Sequence, residues 1–117
     1  MSWFHPEEEY EVGEVLGYHY EHPDACYRVT FADEESYICV FDSAFESENG
    51  CELDIEMEDP RYDEFYMVVL KIVETVHDGA RRYNEWLSLD YRDFPVSIRD
   101  ADTGAIICPV QSEPRSV

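Results

Sequence analysis

Lysine is nearly absent: Lys71 is the only one in 117 residues, and eight basic side chains in all face 28 acidic ones, for a net charge of −20. So few cations exclude the basic stripe by which proteins hold phosphate backbones, and direct nucleic-acid binding is not expected. No apolar run approaches the roughly 18 residues of a membrane span, so no membrane contact is expected. The segment Met1–Glu9 has no basic stretch leading into an apolar one. It does not read as a secretory signal, and a cytoplasmic location is expected. The five glycines are scattered, with no phosphate-cradling loop, and no serine sits in a nucleophile elbow. Carboxylates are so numerous that two close together carry no information about acid–base catalysis. The chain reads as non-catalytic, without a cofactor.

What is present is material for a core. At 44% hydrophobic and 15% aromatic the composition is not that of a disordered acidic tail. The length suits one domain, expected over residues 1–109 with a short tail at 110–117. Cys26, Cys39, Cys51 and Cys108 could form two disulfides in three connectivities. Each sits among apolar or alternating residues, where a thiol acts as a small hydrophobe, and reduced cysteines are expected.

Runs at 14–20, 26–31, 37–45 and 51–57 read as strands separated by His22-Pro23-Asp24, Asp33-Glu34-Glu35 and Glu48-Asn49-Gly50. Short connections predict an antiparallel meander of about four strands. Further runs at 83–89, 96–98 and 105–108 add strand, the last two joined by a turn over Asp100–Gly104. Pro6–Glu11 fits either one acidic helical turn or an extended lead-in. One principal helix is expected near 60–77: Asp59 as N-cap, Pro60 at the first position, then Phe65, Val68, Val69, Ile72, Val73 and Val76 at helical spacing before Gly79. The expected class is α+β, mostly antiparallel sheet, with that helix packed on it.

Charge is uneven along the chain. Residues 1–64 hold 20 acidic side chains and two basic ones, Arg28 and Arg61. An even spread would indicate general solubility or salt adaptation, whereas this asymmetry predicts a directed face. Cys51, Leu53, Ile55 and Met57 alternate with Glu52, Asp54, Glu56 and Glu58, predicting a strand with one buried face and one column of carboxylates. A three-residue loop over Glu48–Gly50 would pair Phe45 with Leu53 and Phe41 with Met57, bringing Asp42 and Glu46 beside that column. The candidate partner-binding residues are therefore Asp42, Glu46, Glu48, Glu52, Asp54, Glu56, Glu58, Asp59 and Asp63, with Tyr62 and Tyr66 as aromatic neighbours suited to an interface. An ordinary charged exterior is the plain alternative.

Two further patterns carry less. His19, His22 and Cys26 are spaced like half of a zinc site, with no second knuckle in view, so no metal is expected. Asp100–Gly104 resembles the start of a calcium loop but has Gln111 where the bidentate glutamate belongs, and a hairpin turn accounts for it.

In size and acidity the chain resembles small acidic inhibitors that imitate nucleic acid, such as phage-encoded anti-CRISPR and anti-restriction proteins. The likeness is one of physics. It implies an inhibitor that occupies the basic cleft of a nucleic-acid-binding protein. An immunity protein against a basic toxin such as a nuclease is the alternative, and a housekeeping or metal-binding domain with incidental acidity is a third reading.

Overall fold

In the computed structural model residues 3–109 are described; the expected tail, 110–117, lies outside the described residues. The chain opens with a 3-10 turn, Pro6–Tyr10, and then a helix, α1, Val12–Glu21. Val12, Val15, Leu16 and His19 recur at three- and four-residue steps, so one face of α1 is apolar and Val12 and Val15 are fully buried. The expected strand at 14–20 is thus a helix. Its two glycines weaken the helical signal, but Gly13 is there for contact: a Cβ would lie 2.9 Å from the Trp3 ring.

Six strands follow: β1 Cys26–Thr30, β2 Ser36–Glu48, β3 Glu64–His77, β4 Trp86–Leu89, β5 Ser97–Asp100 and β6 Ile106–Cys108. They form one antiparallel sheet in the order β4-β3-β2-β1-β5-β6. The α+β class and the arrangement of a four-strand meander plus C-terminal hairpin agree with expectation, although different segments fill it. The expected helix near 60–77 is β3 instead. Val68, Val69, Ile72, Val73, Thr75 and Val76 are β-branched and lie comfortably on a pleated surface. Register breaks opposite Ser36/Tyr37 and Ile38/Cys39 leave Val76 and Val73 as extra residues on β3. Those insertions stretch a two-residue alternation into steps that imitate a helix. Asp59 and Pro60 do cap, but they cap a turn: the Asp59 carboxylate accepts from the Arg61 backbone N–H at 2.8 Å.

One sheet face carries the core, with Tyr27, Val29, Tyr37, Cys39, Val68, Leu70, Leu87, Leu89 and Ile98 all excluded from solvent beside Val12 and Val15. The four cysteines are unpaired, and burial pushes the thiols of Cys39 and Cys108 up to about 12. Asp100–Gly104 is the expected turn: Asp100 Oδ1 accepts from the N–H groups of Asp102 and Thr103, and Gly104 has a φ of 78°. Among the described residues no helix is long and apolar enough to cross a membrane.

Glu8 joins the N-terminal segment to the sheet. Its fully buried carboxylate accepts the backbone N–H groups of Phe4 and His5 at 2.9 Å each and that of Tyr66 at 2.7 Å. Charge-assisted bonds of this kind offset the burial of a carboxylate. Glu8→Ala strands three donors and should cost about 3 kcal/mol, read as a lower midpoint in urea, with Glu8→Gln falling between it and wild type.

Glu11 behaves in the opposite sense. Burial, with repulsion from Glu7, Glu8 and Asp90, raises its pKa to about 7, and one carboxylate oxygen is enclosed without a hydrogen-bond partner. Between its ordinary value of 4.5 and about 7 the unfolded chain has ionised while the folded one still holds its proton, so stability falls as pH rises through that window. Glu11→Gln should remove this fall and add roughly 1 kcal/mol at pH 8, a figure reduced for the carboxylate's partial contact with water. Urea titrations of both proteins at pH 4.5 and 8 measure it.

Candidate functional site

The long β2–β3 hairpin ends in an excursion, residues 49–63, that holds most of the candidate acids. The expected strand at 51–57 does not form: Gly50–Leu53 is a short helix, α2, and Asp54 turns the chain with a left-handed φ of 52°. Consequently the expected pairing of Phe45 with Leu53 and Phe41 with Met57 is replaced by Phe45 with Met67 and Phe41 with Leu70. The alternation in 51–57 was real but buries nothing: Cys51, Leu53 and Met57 are exposed and only Ile55 is half-buried. β3 supplies a long β-branched partner for β2, and it outcompetes a four-residue apolar stripe.

The excursion is closed at its base by Asn49. Its buried amide donates to the Arg61 carbonyl and accepts from the Asp63 N–H, both at 2.8 Å, while its own N–H donates to the Asp63 carbonyl at 3.1 Å. Arg92, from the 3-10 turn Tyr91–Asp93, reaches across to Glu52 at 3.1 Å and covers the buried ring of Phe65 at 3.9 Å. Behind the base, His5 Nε2 lies 2.7 Å from Asp63 Oδ1, its ring stacked on Tyr91, and the Tyr91 hydroxyl donates to the other Asp63 oxygen. Burial opposes ionisation of Asp63, yet the hydrogen bonds from Tyr91 and His5 hold its carboxyl below the usual range. Burial and that same bond push Tyr91 up to about 12.

These contacts sort the candidates. Asp63 is engaged inward. Asp59 is held by Arg61 at 2.9 Å, which lowers its pKa to about 2. Glu48 folds back onto the Gly50 N–H at 2.5 Å, and Tyr62 donates to Glu64 at 3.2 Å. Tyr66 packs edge-on against Trp3 at 5.1 Å, towards the N-terminal segment. Asp42 is the extra residue of a bulge on β2, and it, Glu46, Asp54, Glu56 and Glu58 are exposed, with no ion pair among the described residues. The sheet therefore does not bring the candidates into a two-column grid. It gathers Glu48, Glu52, Asp54, Glu56, Glu58 and Asp59 at one hairpin tip, with Asp42 and Glu46 on the approach to it.

A groove of about 490 Å³ runs through this tip. Cys51, Ile55, Met57 and Tyr62 give it apolar walls, and Glu48, Asp54 and Glu56 give it an acidic rim. Such a groove suits a long side chain with an apolar stem and a cationic head. The groove is not legible in the sequence, whose pattern predicts a buried strand face for Cys51, Ile55 and Met57 and a helix for Tyr62.

Elsewhere, His19 stacks on Phe41 at 3.8 Å and His22 on Tyr18 at 4.2 Å, and no group of three His, Cys, Asp or Glu side chains is placed to hold a metal among the described residues. No family model matches the chain, and no curated protein or solved structure matches it either.

Asn49→Ala should cost about 1–2 kcal/mol and open the loop base. Hydrogen exchange at the Asp63 amide should accelerate markedly more than at Leu70 in the core; equal protection of both would show that the amide does not hold the loop.

Proposed function

We propose that the protein is a non-catalytic inhibitor whose acidic hairpin tip docks into the basic cleft of a nucleic-acid-binding protein, in the cytoplasm, without itself binding nucleic acid. The observation that supports this best is the tip: six carboxylates gathered at an excursion tied at its base, three of which, Glu48, Asp54 and Glu56, line a groove with apolar walls. A loop held in one shape loses less entropy on binding than a free acidic tail. The rim attracts cations at long range, and the walls reward a lysine or arginine stem once water leaves. Tyr62 adds an aromatic surface on which a guanidinium can stack.

Neutralisation of one basic toxin, for instance a nuclease, would use the same surface. It differs in predicting a single tight partner instead of several related ones.

The test is retention of basic nucleic-acid-binding proteins on the immobilised chain, with elution by salt and competition by DNA or RNA. Glu52 belongs to the Arg92 bridge and Asp54 to a left-handed turn, so the variant that spares the fold is Glu46→Lys, Glu56→Lys and Glu58→Lys together. It should weaken binding at least tenfold with an unchanged unfolding midpoint, and wild-type affinity should fall steeply with salt. Retention unaffected by the triple variant and by nucleic acid would refute the proposal.

A further inference from the structure

The face of the sheet turned away from α1 is built differently from the rest of the surface. Directly paired residues share a face, so strand register defines its rows. One row runs Arg99, Arg28, Ile38, Glu74, and the next runs Cys26, Val40, Lys71, Trp86. Arg28, Lys71 and Arg99 are exposed and have no ion pair among the described residues. The other described arginines, Arg61, Arg81, Arg82 and Arg92, are all bridged to carboxylates. Arg28 and Arg99 sit directly opposite each other, a pairing of like charges that destabilises a sheet unless an anion joins them.

We infer that this face associates with the same face of a second copy of the chain. The first row is self-complementary, with cations on β1 and β5, Glu74 on β3 and apolar Ile38 at its centre on β2, and Val40 extends that apolar centre in the next row. A two-fold axis lying along β2 between two stacked sheets exchanges β1 with β3. It sets Arg28 of each copy over Glu74 of the other and brings Ile38 and Val40 against their counterparts. Sheets packed this way lie about 10 Å apart, a gap that an arginine and a glutamate span together. In a chain of net charge −20, these two rows hold three cations and one acid, Glu74. Position along β2 is unchanged by such an axis, so the two hairpin tips emerge at the same end of the dimer, and the association does not depend on what they bind.

Sedimentation equilibrium at roughly 0.15 M salt, where exposed charges are screened beyond about 8 Å, tests this. Wild type should be a dimer. Arg28→Glu and Glu74→Arg should each raise the dimer dissociation constant at least tenfold, and the double variant should return it to near the wild-type value. Circular dichroism confirms that each variant is folded; if Arg28→Glu is not, Glu74→Arg alone carries the comparison. A wild-type monomer at about 0.5 mM, single variants as dimeric as wild type, or a double variant as weak as the singles would each overturn the inference.

Discussion

Shortage of positive charge is the constraint under which this fold is assembled. Two of the bridged arginines, Arg81 and Arg92, are placed where distant chain segments must be joined. Arg81 is the clearest: it bonds Asp33 and Glu35 from the β1–β2 turn and Asp93 from the link after β4, and lies 4.2 Å over the Phe31 ring. The Asp93 bond leads the set that raises its pKa. Where no arginine reaches, the chain uses neutral donors. Backbone N–H groups satisfy Glu8, and tyrosine hydroxyls serve Asp63 and Asp100. A carboxylate held by neutral donors keeps its charge, so these devices organise the acid without reducing the field it projects.

Local chemistry made part of this legible. The turns over Asp33–Glu35 and Asp100–Gly104, the strand at β1 and the C-terminal hairpin follow from residues within a few positions of one another. The misread segments are those decided at a distance. Val12 and Val15 are helical because a sheet formed later in the chain buries them, and β3 is a strand because β2 offers it twelve paired positions. Periodicity misled in both directions: bulges at Val73 and Val76 gave a strand a helical rhythm, and residues 51–57 alternate without any partner strand. For the site, the acidic residues were identifiable from composition. The groove, the Asn49 clasp and the inward engagement of Asp63 depend on segments brought together by the fold.

The molecule is consequently polar in the electrical sense. Its hairpin tip carries carboxylates in excess of any local cation, and the open sheet face carries the unbridged cations Arg28, Lys71 and Arg99. A chain with one lysine would have little reason to gather cations on a single apolar face if solubility were the only demand. The tip ends the β2–β3 hairpin, whereas two of the three cations stand on β1 and β5.

Asn49 has a chemical consequence beyond closing the loop. It precedes Gly50, and an asparagine followed by glycine is prone to lose its amide, because the glycine nitrogen can swing round and attack the side-chain carbonyl. Here that nitrogen is already donating to Glu48, and the amide is held on both sides by Arg61 and Asp63. The clasp therefore slows the ageing of its own linkage. Once it opens, deamidation would put a carboxylate against the Arg61 carbonyl, where an amide had donated, and the loop would not reclose as before.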